Sequence, residues 1–212
     1  MGKMENFLGG IRILEEVDSP INGKLVVMSD FAWGTYITAE GLTQSGGVAV
    51  KIWKTTLKKI SKCQNCLILG LGGGGNAKLV RKIWPKAKIV GVEIDPLMIK
   101  LGTRYLGLGM NGVDIKIEDA FHFVKKESKK YDLILVDTYI GDEFPQKFES
   151  EEFLKLVKKL LTKKGIAIFN RLYYGEKRLL AMQALKKLEK VFPKVEVVYP
   201  EANVMFMCSL LE

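Results

Sequence analysis

Residues 65–80 read NCLILGLGGGGNAKLV, and five of the six residues from Gly70 to Gly75 are glycine. An apolar, strand-like run precedes them and a helix-like run follows. Glycine permits a tight turn and lets a ligand approach the backbone N–H groups at the N-terminus of the next helix. Those donors suit a pyrophosphate, and equally the carboxylate of an amino-acid tail. Gly70, Gly72 and Gly75 satisfy G-x-G-x-x-G, a pattern that also fits a nicotinamide dinucleotide or a plain tight turn. Three acids follow, each closing an apolar run: Glu93 in VGVEID, Asp119 in IEDAF and Asp137 in ILVDTY. At the end of a second strand, Glu93 is placed to accept both hydroxyls of a ribose. Asp119, ending a third, is placed to accept from the exocyclic amine of an adenine. Asp137, ending a fourth, is the candidate proton acceptor or orienter of a nucleophile. Each acid alone reads equally as an N-cap or a solvated turn residue. As an ordered set on the carboxyl edge of a sheet, where open α/β folds bind ligands, they point to an adenine nucleoside cofactor.

Such an edge requires a parallel sheet. From Cys66 onward strands alternate with helical patterns. The strands are CLILGL, KIVGVEI, DIKIED, YDLILVD and GIAIFNRL, and the helical patterns cover 76–84, 96–106, 119–127 and 150–161. Asp95-Pro96 is an N-cap followed by proline in the first turn. Near-continuous apolar strands belong to a sheet covered on both faces, so the expected fold is a doubly wound, Rossmann-like α/β domain. After a helix at 175–191, KVEVVYP and NVMFMCSL are separated by only two residues. That is too short for a parallel crossover, so the last strand of a seven-stranded sheet should run antiparallel. Residues 11–40 differ, reading as short strands with turns, and a helix with Val48, Ile52, Trp53, Leu57 and Ile60 on one face follows. The expected division is a small N-terminal β region over 1–45 and a cofactor-binding domain over 46–212.

The chain has 212 residues and a net charge of +9. No apolar run has the roughly 18–20 residues of a membrane span, and MGKMEN lacks a leader or myristoylation pattern, so a cytoplasmic location is expected. Cys63 and Cys66 form a lone C-x-x-C and His122 is the only histidine. No metal site follows from that set, and a structural reading of the pair outweighs a redox one. The lysines fall in pairs on helical patterns, as solvated faces do, which leaves nucleic acid open as a partner without arguing for it. His122, three residues after Asp119, reads as a helix-surface or lid residue.

Several segments together resemble spermidine synthase and related aminopropyltransferases. They are LILGLGGGGNAKLV, VGVEIDPLMI, IEDAFHFV, YDLILVD and FESEEFLKLVKKLLTKKGI, with AEGLTQS upstream. The resemblance implies S-adenosylmethionine or its decarboxylated form as cofactor. It places Gly70, Gly72, Gly73 and Gly74 at the cofactor's amino-acid end and Glu93 with Ile94 at the ribose. It likewise places Asp119 with Ala120 at the adenine, Gln44 at donor or substrate, and Asp137 at the proton of an attacking amine. Three departures stand out. Gly73 occupies the position of the family's ammonium-binding aspartate; SGGVAVKIWKTT carries no acid and puts Trp53 near a family tyrosine; DTYIGD puts Ile140 at a second aspartate, with Asp142 two residues on. Each removes negative charge that would neutralise a polyamine, and an unpaired ammonium in a closed site costs several kcal/mol. The expectation is therefore methyl transfer from S-adenosylmethionine to a small-molecule acceptor, an amine being compatible, with a homodimer also compatible. The alternative is an aminopropyltransferase with a rebuilt diamine site using Asp142 and Glu143. A dehydrogenase and a nucleic-acid-binding module without turnover stand behind these.

Overall fold

The computed structural model describes residues 7, 8 and 10–211; the reading of MGKMEN falls outside them. Two sheets are present. The N-terminal one is antiparallel, in the order β1 (Phe7–Leu8), β2 (Ile11–Ser19), β3 (Gly23–Asp30), β4 (Gly34–Ala39) and β5 (Leu42–Gly46). Helix α1 (Gly47–Leu57) then leads into a seven-stranded sheet. Its strands are β6 (Asn65–Leu69), β7 (Lys88–Glu93), β8 (Val113–Ile117), β9 (Tyr131–Val136), β10 (Leu161–Leu172), β11 (Lys194–Val198) and β12 (Asn203–Ser209). Their spatial order is β11-β12-β10-β9-β6-β7-β8. Only β12 runs against the others, pairing antiparallel with both β10 and β11, because the four-residue connection 199–202 is too short for a parallel crossover. The expected doubly wound sheet with an antiparallel last strand is present.

Chain order reverses between β6 and β9, which are hydrogen-bonded neighbours. Helices α2 (Gly75–Ile83), α3 (Pro96–Leu101), α4 (Ala120–Lys126), α5 (Glu151–Leu160) and α6 (Lys177–Val191) connect the strands. Their apolar stripes cover both sheet faces. Phe123, Phe153, Val157 and Leu188 are buried on one, and Trp53, Leu57, Ala77, Val80 and Met205 on the other. The 96–106 pattern is not one uniform helix. After Leu101 it widens into a π turn over Gly102–Leu106, beside Gly73, whose backbone lies where a Cβ on Gly102 would be. Met98 and Leu101, with Tyr105 and Leu106, reach Leu25, Val27 and Ile37 of the small sheet.

Asp95 joins the two sheets. It is completely buried and N-caps α3 by accepting from the Leu97 N–H at 2.8 Å. Its other oxygen accepts from Ser19 Oγ at 2.6 Å, at the end of β2, and from Asn22 Nδ2 at 2.7 Å, in the turn before β3. A hydrogen bond to a charged group contributes about 1.5–3 kcal/mol, so Asp95→Ala should cost at least about 3 kcal/mol. Ser19→Ala, which removes one donor, should cost about 1–2 kcal/mol. Chemical denaturation of the two variants checks the order; equal and small losses would mean the sheets are held together elsewhere.

Candidate functional site

The cavity opens at the carboxyl edge of the large sheet, over the β6/β9 reversal, and has a volume of about 350 Å³. Strand β5 and α1 wall it on one side, and the segment after β9 on the other. Strand β6 leads directly into Gly70, whose φ is +85° and whose Cβ, were there one, would lie 2.2 Å from the Asp137 carbonyl oxygen. Only glycine fits where the two strand ends pass this closely. Gly70, Gly72 and Gly75 line the cavity, as do Gln44, Glu93, Ile94, Asp119, Ala120 and Asp137. Gly73 and Gly74 do not. A Cβ on Gly73 would meet Ile37 Cδ1 and Leu106 Cδ1 at 2.8 Å, and one on Gly74 would meet Leu108 Cδ1 at 2.4 Å. These two glycines let the loop pack against the small sheet and the turn after α3, facing away from the cavity.

Each acid is held differently. Asp137 lies on the cavity floor and accepts from Trp53 Nε1 at 2.8 Å and Asn76 Nδ2 at 3.2 Å on one oxygen. Its other oxygen accepts from Asn170 Nδ2 at 2.8 Å, and Asn170 is fixed in turn by Asn203 at 2.8 Å. Burial pushes the carboxyl above its ordinary range, and the three N–H donors pull partly back. Glu93, almost entirely buried, accepts from the Gly72 N–H at 2.7 Å and the Asp95 N–H at 3.0 Å. Burial raises it too, against those same donors. Asp119 N-caps α4, accepting from the Phe121 and His122 N–H groups at 2.9 and 3.1 Å. Its second oxygen pairs with Lys147. Burial works to raise Asp119, but the Lys147 ammonium and the two N–H groups hold it below the usual carboxylate range.

Five acids line the cavity against one base, Lys147. Glu118 pairs with Lys126, Glu201 with Lys51 and Asp119 with Lys147. Among the described residues Glu93 and Asp137 alone of the five have no cationic partner. The cavity thus presents two uncompensated carboxylates to whatever enters. Thr138 Oγ1, buried in the same wall, has no hydrogen-bond partner among the described residues. Gln44 reaches across from β5 and donates to the Gly141 carbonyl at 2.8 Å, closing the small sheet over the segment after β9.

Some expected and some unexpected residues therefore meet here. Trp53 supplies an N–H to Asp137 where a family tyrosine was expected nearby, and Asn76 and Asn170 were not singled out by any spacing. Asp142 and Glu143 do not line the cavity, and Asp142 is engaged with Lys177 at 2.8 Å. His122 is exposed on α4 and does not line it. Tyr139 lines it with its hydroxyl accepting from the Leu172 N–H at 2.8 Å.

The double use of Glu93 has a measurable result. Glu93→Ala removes a carboxyl from the cavity wall and also leaves the Gly72 and Asp95 N–H groups unpaired. The variant should lose tenfold or more in nucleoside affinity, and its unfolding free energy should drop by about 1.5–3 kcal/mol. Calorimetric titration and thermal unfolding check both; unchanged affinity in the folded variant would remove Glu93 from the ligand site.

The spermine/spermidine synthase domain matches residues 48–207. The eEF1A lysine and N-terminal methyltransferase homolog of Drosophila melanogaster is 32% identical over 142 residues, 62% of this chain and 21% of that protein. This chain spans about a fifth of that relative's length. The polyamine aminopropyltransferase of Prochlorococcus marinus (strain MIT 9215) is 28% identical over 204 residues, 84% of this chain and 71% of that protein. Among solved structures, spermidine synthase from Thermotoga maritima superposes with a TM-score of 0.78 at 20% identity, covering 94% of this chain and 73% of that one. That likeness shows the fold. Human methyltransferase-like protein 13, solved in complex with SAH, superposes with a TM-score of 0.61 at 28% identity over 77% of this chain and 78% of that one. With three quarters of its length matched, the chain belongs to the spermine/spermidine synthase domain family.

Proposed function

We propose that this chain transfers a methyl group from S-adenosylmethionine to the nitrogen of a small amine. One observation carries the choice: no acid stands in the glycine loop, residues 70–76, and the N-terminus of α2 has neither a side-chain cap nor an acid in its first turn. The Gly75 N–H donates to Ser45 Oγ at 3.2 Å; the remaining N–H groups at the helix start favour a carboxylate and offer nothing to an ammonium. Intact S-adenosylmethionine carries that carboxylate; the decarboxylated donor of aminopropyl transfer does not. The relatives' names fit both chemistries, since they include methyltransferases and polyamine aminopropyltransferases.

The residues fit such a cofactor. The cavity volume lies in the range of cofactor sites, and Gly72 lines it beside Gln44 and Ser45. Glu93 would take the ribose hydroxyls and Asp119 the adenine amine, sharing its outer oxygen with Lys147. When bound, the cofactor supplies a methyl carbon whose bond to a positively charged sulfur breaks as the acceptor nitrogen bonds to it. The protein's task is alignment. Asp137 faces the cavity with three of its acceptor positions filled by neutral N–H donors, so about one remains free for an incoming N–H. It attracts a cationic amine, takes the proton whose loss frees the nitrogen lone pair, and orients the neutral nitrogen for attack; the positive charge then passes from the sulfur to the methylated nitrogen. Its raised affinity for a proton suits that duty better than an exposed aspartate's would.

Calorimetric titration with S-adenosylmethionine and its decarboxylated form, at one salt concentration, tests the choice. Intact S-adenosylmethionine should bind at least as tightly. A tenfold preference for the decarboxylated donor would contradict methyl transfer and put aminopropyl transfer in its place.

A further inference from the structure

Charge is divided between the two edges of the large sheet. The acids without a cation, Glu93 and Asp137, are at the carboxyl edge. At the opposite edge the chain enters four neighbouring strands, in the order β10-β9-β6-β7, through segments that carry exposed lysines. Lys163 and Lys164 lie in the irregular start of β10, between its paired residues Leu161 and Ile166. Lys129 precedes β9, Lys62 precedes β6, and Lys86 and Lys88 lead into β7. All six are exposed, and none has a carboxylate partner among the described residues. Neighbouring strands are about 4.8 Å apart, so four of them set these ammonium groups in a band roughly 15 Å long.

Helix ends do not account for this band. Lysines in the last turns of α2, α4 and α5 complement their helix dipoles. The six above lie outside every helix. The two acids of the same turns are turned onto the backbone instead. Glu127 accepts from the Ser128 and Lys129 N–H groups at 2.7 and 2.9 Å, and Asp132 from those of Gln64 and Asn65 at 3.0 Å each.

We propose that this edge binds the phosphate backbone of a nucleic acid, on the face opposite the cavity. A row of point charges without base-reading side chains positions a phosphate chain irrespective of its sequence. A bilayer fits less well. Met110 and Leu211, exposed hydrophobic residues near this edge, stand beside β8 and after β12 rather than among the lysines, and no amphipathic face is there to insert. The acids of the cavity keep the polyanion away from the amine site, so binding there and transfer are compatible in one molecule.

The test uses the full chain and a fluorescent single-stranded RNA of about 20 nucleotides, read by anisotropy between ~50 and ~200 mM salt. Three to five phosphate contacts predict a slope of log affinity against log salt of about −2 to −3.5. The triple variant Lys62→Glu, Lys129→Glu, Lys163→Glu should lose at least about tenfold in affinity and flatten the slope, with S-adenosylmethionine affinity unchanged. Each single variant should lose about twofold to threefold, which keeps the test open if the triple fails to fold. A control with the same charge change elsewhere, Lys24→Glu, Lys78→Glu, Arg178→Glu, should stay within about threefold of the parent. No RNA binding at ~50 mM salt, an equal loss in the control, or binding to anionic vesicles without binding to RNA would each overturn the proposal.

Discussion

Asp137 is held at the reversal point of the sheet by neutral N–H donors alone. Four elements are arranged around it. Trp53 comes from α1, Asn76 from α2 and Asn170 from β10, with Asn203 of β12 behind Asn170. These are the same elements that form the cavity's floor and one wall. Trp53 is nearly inaccessible to solvent, so its N–H could not be left unpaired without a desolvation cost of about 1–3 kcal/mol. The antiparallel β12, forced by its four-residue connection to β11, is what brings Asn203 to Asn170. Packing and site chemistry are therefore one arrangement in this part of the fold.

A buried carboxylate without a cation costs stability, and its direction with pH follows. Both Asp137 and Glu93 are raised by burial, so the folded state binds their protons more tightly than the unfolded chain does. Their contribution to stability is greatest at acid pH and declines as pH rises from the ordinary carboxylate range through the raised values. Once ionised, neither has a cationic partner among the described residues. A cationic ligand, such as the proposed amine or sulfonium, would offset that cost. Asp119 behaves oppositely: Lys147 compensates it, and it stays charged to lower pH.

Much of this was legible along the chain. The apolar strands, the Asp95-Pro96 helix start, the antiparallel end and the three acids closing three strands all follow from local pattern, and the structure has them. The partners of those acids were not, because they are tertiary contacts. Trp53 and Asp137 are 84 residues apart, Asn76 and Asp137 are 61, and Ser19 and Asp95 are 76. Asp95 reads locally as a simple N-cap, yet it also ties down the small sheet. The glycine loop shows the same limit. Which glycines face the ligand depends on Ile37, Leu106 and Leu108 crowding Gly73 and Gly74 from behind, and no spacing within the loop encodes that.

The central claim is that Asp137 is a buried carboxylate whose missing counter-charge arrives with the ligand. Titrating its side-chain carboxyl by carbon-13 NMR, in the free protein and with S-adenosylmethionine or its neutral sulfide product S-adenosylhomocysteine, tests this directly. The account predicts a pKa above the ordinary value of about 3.9 in the free protein. It predicts a fall on adding the positively charged donor and a smaller or no fall with the neutral product. An ordinary or lowered value in the free protein, or equal shifts with the two ligands, would contradict it.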